Sequence, residues 1–128
     1  MENDYKKQFY QRVYKYGLEI IQRVENLPKD QASRILGNQL LRSGTSVAAN
    51  IIEAKSASSK RDYINFYHHA LGCPEAIKSA NESKLWICYL RDAKKITKEQ
   101  SKKILKETEE IANILAASII TMKNKRKI

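Results

Sequence analysis

The sequence predicts an all-α fold, an antiparallel up-and-down four-helix bundle formed by a single domain over residues 1–128. Apolar residues recur at helical spacing in four long segments, and short polar segments separate them, which favours antiparallel neighbours. The chain contains only 4 Gly and 2 Pro, too few for the many turns of an all-β fold. With 42% hydrophobic residues, it has enough apolar side chains to build a core.

The first two helices are expected at about residues 4–26 and 30–57. In the first, apolar residues recur every three or four positions, at Phe9, Val13, Tyr16, Ile20, Val24 and Leu27. Pro28 ends this helix because proline disfavours helical conformation at the preceding residue. Asp30 then supplies an N-cap for the second helix.

The last two helices are expected at about residues 60–93 and 98–124. Pro74 lies inside the third and removes a backbone donor, so it predicts a kink or a division into two helices. Thr97 and Gln100 form a capping box before the fourth. Its inward-facing seam alternates spacings of four and three residues, which is typical of a bundle helix. The seam residues are Ile104, Thr108, Ile111, Leu115, Ser118 and Met122.

The chain shows no signal for a membrane or for export. No apolar run approaches the about 20 residues that span a bilayer, and the opening MENDYKKQFYQ lacks the apolar core of a signal peptide. We therefore expect a cytoplasmic protein with no membrane partner. The first helix contains four tyrosines that do not share one face, Tyr5, Tyr10, Tyr14 and Tyr16. A helix that is apolar on more than one side often packs against a second copy, so we expect a homo-oligomer.

The net charge of +10 and the pI of about 9.6 favour a polyanionic partner, RNA or DNA. Binding to phosphates requires positive charge and reads no base sequence. The candidate nucleic-acid-binding residues form three groups, in the first helix, around the turn between helices two and three, and at the C-terminus: Lys6, Lys7, Arg12, Lys15; Lys55, Lys60, Arg61; Lys123, Lys125, Arg126, Lys127. The alternative is a solvated surface of lysines interleaved with glutamates, which fits the start of helix four but not the unbalanced tail.

A polar stripe in the second helix is a second candidate site. Arg42, Ser46, Asn50 and Glu53 fall within about 80° of one another on a helix. One interpretation is a structural polar network in which Glu53 accepts from Arg42 or a backbone group and Asn50 bridges helices, fixing their register. The other is a groove that contacts a ligand or RNA. The first is favoured because polar groups beside a core are usually satisfied within the protein.

Two segments around this stripe resemble a known family. LRSGTSVAANIIEA at residues 41–54 and SKRDYINF at residues 59–66 resemble the four-helix-bundle proteins encoded in intervening sequences of bacterial large-subunit ribosomal RNA genes, often described as ribosomal proteins. The spacing Arg-Ser-x-x-Ser-x-x-x-Asn-x-x-Glu is the most specific part. ANESKLW at residues 80–86 is similar to a later segment of that family, and the resemblance covers nearly the whole chain.

The resemblance implies a left-handed antiparallel bundle that assembles as a barrel-like homopentamer. It also implies kinship with the accessory proteins of diversity-generating retroelements, which are basic pentamers that bind nucleic acid and a reverse transcriptase. A reverse transcriptase is therefore a candidate protein partner.

The motifs of common enzymes are missing from the sequence. It has no Gly-rich phosphate loop, no nucleophile elbow and no carboxylates paired at catalytic spacing, so we predict no catalytic residues and no cofactor. His68 and His69 are adjacent and point about 100° apart on a helix, which disfavours a metal site. Arg61 and His68 resemble the Arg-x(4–6)-His signature of HEPN ribonucleases, with the histidine acting on the 2′-hydroxyl.

We therefore predict a non-enzymatic, nucleic-acid-binding or assembly factor. Two alternatives stay open: a metal-independent ribonuclease that uses Arg61 and His68, and a protein-binding scaffold whose basic surface contacts an acidic partner.

Overall fold

The all-α prediction is confirmed. The computed structural model describes the backbone at residues 2–58 and 63–126, and the side chains at residues 4–54 and 74–121. These backbone residues form four helices and no strand: α1 (Glu2–Glu25), α2 (Gln31–Ser58), α3 (Tyr63–Asp92) and α4 (Lys98–Arg126). Pro74 lies inside α3, which continues through it as one helix. Within the described ranges, no helix combines the length and apolar character needed to cross a bilayer.

Side-chain caps and one left-handed residue define the turns at one end of the bundle. Oδ1 of Asp30 accepts the backbone N–H of Ser33 at 2.9 Å and caps α2. Thr97 and Gln100 cap α4 reciprocally, each side chain accepting the other's backbone N–H at 3.0 Å. At the end of α3, Lys94 adopts a φ of 62°. The two turns meet where Nζ of Lys95 lies 3.3 Å from Oδ2 of Asp30.

Close approaches between neighbouring helices show an up-and-down arrangement. A Cβ placed on Gly37 would lie 2.9 Å from Leu27, and one on Gly44 would lie 2.8 Å from Ile20, so α1 and α2 run in opposite directions. The pairs Asp30–Lys95 and Ser43–Ser83 show the same for α2 and α3. α4 packs extensively on α3 and much less on α1. The loose seam between α1 and α4 matters for the sites described below.

The core contains the apolar residues that the helical spacing predicts to face inward. Val13 and Ile20 of α1 pack with Leu40 and Val47 of α2, and Ile111 belongs to the seam predicted for α4. Each of these side chains is at most 2% exposed. Burial of such side chains contributes about 1.5–3 kcal/mol each, which makes this core the main source of stability.

A layer of buried hydroxyl groups crosses the centre of this core. We call Tyr16, Ser43, Ser83 and Thr108 the hydroxyl layer; each comes from a different helix and is at most 1% exposed. The Tyr16 hydroxyl lies 2.6 Å from Oγ1 of Thr108, and Oγ of Ser43 lies 2.8 Å from Oγ of Ser83. Thr108 donates to the carbonyl of Ile104 and Ser83 to that of Ser79. Because these groups satisfy one another only in this alignment, the layer favours one register of the four helices.

Candidate nucleic-acid interface

Arg42, the first residue of the polar stripe, forms an ion pair between helices. Its guanidinium donates to the Glu82 carboxylate of α3 and, at 3.0 and 3.2 Å, to Oε1 of Gln39 on its own helix. The Arg42 side chain is 58% exposed, so the pair lies on the surface. The partner that Arg42 has in the structure is thus Glu82 and not Glu53.

Glu82 accepts a second hydrogen bond from the indole N–H of Trp86, at 3.0 Å. The bond from Trp86, which has the larger effect, and the bond from Arg42 both lower the pKa of the Glu82 carboxyl below its usual value. Arg42 belongs to the first segment with a family resemblance, and Glu82 and Trp86 belong to the ANESKLW segment. The two segments therefore meet in one surface cluster that joins α2 to α3.

The other three residues of the stripe do not extend this cluster. Nδ2 of Asn50 donates to the backbone carbonyl of Ser46 at 2.9 Å and to its Oγ at 3.3 Å, both within α2. Glu53 is exposed on the surface. The four residues share a helix face as the spacing predicts, and among the described side chains no hydrogen bond joins Arg42 to Ser46, Asn50 or Glu53. The buried polar connection lies instead in the hydroxyl layer, which the sequence reasoning missed.

Arg12, a candidate phosphate-binding residue, is bound to two glutamates of α4. Its Nε and Nη2 donate to the two carboxylate oxygens of Glu107 at 2.8 and 2.7 Å, and Nη2 also donates to Glu110 at 2.6 Å. These bonds raise the pKa of the guanidinium, Glu107 contributing most. Of the candidates on α1, Lys6, Lys7 and Lys15 are exposed, while Arg12 ties α1 to α4.

The remaining candidates lie outside the described side chains. Lys55 belongs to α2, and Lys123, Lys125 and Arg126 belong to α4, but only their backbone is described. Lys60, Arg61 and Lys127 lie outside the described residues altogether, and the side chain of His68 also lies outside them. The Arg61–His68 pair is thus among the predictions that lie outside the described side chains.

The up-and-down order brings four helix termini to one end of the bundle, among them the ends of α2 and α4, which carry Lys55, Lys123, Lys125 and Arg126. α1 begins there, α2 ends, α3 begins and α4 ends. Residues 55–73 and 122–128 contain seven of the chain's 24 cations and one of its 14 acids, Asp62, so they supply six of the ten net positive charges. We call the described part of these ranges, residues 55–58, 63–73 and 122–126, together with Lys6 and Lys7, the basic end.

A second basic feature, a groove along α4, was not predicted from the sequence. Lys98, Lys102 and Lys106 recur every four residues along it, and Arg91 of α3, which pairs with Asp92 at 2.8 Å, also lines it. The groove is open, with a volume of about 780 Å³, and Glu109 and Glu110 also line it. The i, i+4, i+8 spacing of the lysines was the available signal. In the sequence, nearby glutamates balance the charge of these lysines, but two of them, Glu107 and Glu110, pair with Arg12 in the structure.

A smaller cavity, which we call the aromatic cleft, opens where α1 and α4 pack loosely. Its volume is about 150 Å³, and it is lined from α1 by Tyr5, Lys6, Phe9 and Tyr10. Residues of α2 and α4 form its other walls: Ile51, Ala54, Ile114, Leu115 and Ser118. Because these residues lie near the start of α1 and the ends of α2 and α4, the cleft belongs to the same end of the bundle as the basic residues.

Metal-binding geometry is not found among the described side chains. In residues 4–54 and 74–121, no group of three or more His, Cys, Asp or Glu could hold an ion. What the described surface offers chemically is positive charge and aromatic area.

Comparison with known proteins identifies one family. The model of the family described as 23S rRNA-intervening sequence protein matches residues 5–117. The fold is similar to the crystal structure of a protein of unknown function from the S23 ribosomal protein family of Bacteroides thetaiotaomicron, with a TM-score of 0.74 and 29% identity over 87% of this chain and 97% of that chain. No curated protein matches the chain.

Proposed function

The chain belongs to the 23S rRNA-intervening sequence protein family, and we propose that it is a non-enzymatic homo-oligomer that binds RNA or DNA through the phosphate backbone. The observation that carries this proposal is the concentration of charge in two stretches of the sequence, residues 55–73 and 122–128, which supply six of the ten net positive charges. Phosphates bind such a surface by releasing condensed counterions, which needs no base-specific contact.

The pairing of the acidic side chains supports the proposal. Glu82, Glu107 and Glu110 accept from arginines of the same chain, and Asp30 accepts from Lys95. Because these carboxylates are already paired, they do little to neutralise the exposed lysines. The field around the molecule is therefore more positive near those lysines than the interleaved sequence suggests.

An exposed apolar stripe on α1 supports the homo-oligomer. Tyr14, Leu18 and Ile21 lie at i, i+4 and i+7 and are 67%, 43% and 36% exposed. A helix with one apolar face in the core and a second one in solvent is suited to pack against another copy. In a closed ring, for which we propose five subunits as the resemblance implies, the basic ends would be repeated by symmetry and their phosphate contacts would add.

The proposal is tested by fluorescence anisotropy at low salt with labelled single-stranded RNA and duplex DNA. A tail variant carries Lys123→Gln, Lys125→Gln, Arg126→Gln and Lys127→Gln. A control loses four charges elsewhere, through Lys29→Gln, Arg34→Gln, Lys94→Gln and Lys103→Gln. We expect the tail variant to lose much more affinity than the control. Absence of binding to both probes by the unmodified protein would refute nucleic-acid binding, and equal losses would refute the basic end as its site.

Two further measurements test the other parts of the proposal. Light scattering should give a mass several times 14.8 kDa, and Leu18→Asp should lower it; a monomer at micromolar concentration contradicts the oligomer. RNA incubated with the protein should stay intact. Cleavage that disappears in a His68→Ala variant would instead establish the ribonuclease alternative.

A further inference from the structure

The aromatic cleft has the size of one ring. Its volume of about 150 Å³ equals that of an engineered protein cavity known to bind benzene, and it is well below the about 300–1,000 Å³ of pockets for drug-sized ligands. A whole metabolite would not fit inside, whereas one planar group attached to a chain outside would. The cleft therefore favours an occupant that inserts a ring and leaves its remaining atoms at the surface.

The walls of the cleft suit a flat ring. Ile51, Ala54 and Leu115 form an apolar floor and are at most 6% exposed. The rings of Phe9 and Tyr10 line the wall from α1, with centroids 6.3 Å apart and planes tilted by 48°. Tyr5, one helical turn before Phe9, is 78% exposed, so its ring is accessible at the mouth. Aromatic surface at an apolar opening offers an incoming ring both stacking and burial.

Charge around the cleft is positive on balance, because the cations near it in the sequence outnumber the exposed acids Asp4 and Glu53, and it favours an anionic chain as the source of that ring. Lys6 lines the opening, and Lys7 is exposed beside it in the sequence. Lys55 follows Ala54 directly in α2, and the cations after residue 122 follow the α4 wall. At the opening, Oγ of Ser118 donates to the carbonyl of Ile114 at 3.0 Å, which leaves its lone pairs to accept an N–H from the ring.

We propose that the aromatic cleft binds one unpaired base of a single-stranded nucleic acid, with the Tyr5 ring stacking on the base and Lys6 contacting a flanking phosphate. This inference rests on the proposed function and specifies its substrate as single-stranded rather than duplex. A paired base cannot enter the cleft without leaving its duplex. Stacking on aromatic side chains tolerates any base, which fits a site that offers few groups for reading sequence.

The test compares a single-stranded oligouridylate RNA that contains one fluorescent pyrimidine with the same strand paired to its complement. We expect tighter binding of the single strand and quenching of its fluorescence as the reporter base stacks. Tyr5→Ala should weaken single-strand binding by about 5- to 150-fold and leave duplex binding unchanged. Tyr5→Phe should retain the affinity because it keeps the ring.

Matched controls separate this inference from the function on which it rests. Tyr89 of α3 is 52% exposed and does not line the cleft, so Tyr89→Ala should bind both probes as the unmodified protein does. Ser118→Leu, which adds apolar bulk at an exposed position, should act like Tyr5→Ala. Helix content measured by circular dichroism confirms that each variant folds.

Three outcomes would overturn the inference. Salt-dependent binding that is equal for both probes and insensitive to Tyr5→Ala refutes the cleft but leaves nucleic-acid binding intact. A change of oligomer size in Tyr5→Ala shows that a neighbouring copy fills the cleft. Absence of binding to either probe refutes both proposals.

Discussion

The hydroxyl of Tyr16 lies 2.6 Å from Oγ1 of Thr108 and joins α1 to α4 inside the core. Thr108 uses its only hydroxyl hydrogen in a 2.7 Å bond to the carbonyl of Ile104, so Tyr16 is the donor in this pair. α1 otherwise packs lightly on α4. This bond and the Arg12 ion pairs therefore hold the seam between the first and last helices.

Tyr16→Phe should reduce the free energy of unfolding by about 1 kcal/mol, the usual net value of one intramolecular hydrogen bond. The ring stays in the core, and Thr108 keeps its bond to Ile104. Urea unfolding followed by circular dichroism measures the change. Tyr14→Phe is the matched control, since Tyr14 is 67% exposed and should show no loss. A loss in Tyr16→Phe no larger than in the control would contradict the importance of the hydroxyl layer.

Stability should fall at alkaline pH because of Tyr16. Burial, opposed in part by the bond to Thr108, raises the pKa of Tyr16 from 10.0 to about 12. As pH rises, the unfolded chain therefore releases this proton before the folded protein does. The stabilisation that comes from the raised pKa is complete below about pH 10 and is lost as pH rises to about 12. The loss approaches about 3 kcal/mol. Urea unfolding across this range should show a smaller decline in Tyr16→Phe, and equal declines would contradict the assignment.

Two glycines should respond in opposite directions to alanine. A Cβ at Gly44 would lie 2.8 Å from Cγ2 of Ile20, a fully buried side chain, so Gly44→Ala should destabilise by about 1–3 kcal/mol through overpacking. A Cβ at Gly17 meets nothing within 4 Å, so Gly17→Ala should stabilise by about 0.5–1 kcal/mol through higher helix propensity. Thermal unfolding measures both, and a stabilised Gly44→Ala variant would refute the close α1–α2 contact.

Trp86 should report the ionisation of Glu82. It is the chain's only tryptophan, and its indole N–H donates to the Glu82 carboxylate at 3.0 Å. Because this bond and Arg42 lower the pKa of Glu82, the fluorescence should change at a pH below the ordinary 4.5 of a glutamate. The ion pair of Glu82 with Arg42 stabilises the fold above the pKa that Glu82 has in the unfolded chain. This stabilisation is lost as pH falls through the lower pKa that Glu82 has in the folded protein. Glu82→Gln should remove the step, and its persistence would exclude Glu82 as its origin.

Helical periodicity was sufficient to predict the fold and much of the core, because each helix buries one face at a spacing of three or four residues. Ile104, Ile111 and Leu115 are buried as that spacing predicts. The capping box at Thr97 and Gln100 forms as predicted, since it depends only on residues close in sequence.

Contacts between helices could not be predicted in the same way. Spacing shows that Arg42 and Glu53 share a face, but not that Glu82 of α3 lies opposite Arg42. The same limit applies to Arg12, whose position in the sequence does not show that it pairs with Glu107 and Glu110 of α4. Such pairings depend on the register between helices. A polar residue at a seam position, as at Thr108, was the one local signal of the hydroxyl layer.

The salt dependence of nucleic-acid affinity tests the central proposal most directly. For duplex DNA, the logarithm of the binding constant should fall linearly with the logarithm of salt concentration, with a slope of about −0.9 for each phosphate contacted. The variant that lacks the cations Lys123, Lys125, Arg126 and Lys127 should show a shallower slope than the unmodified protein. An affinity that does not change with salt, or an equal slope in the two proteins, would contradict phosphate binding by the basic end.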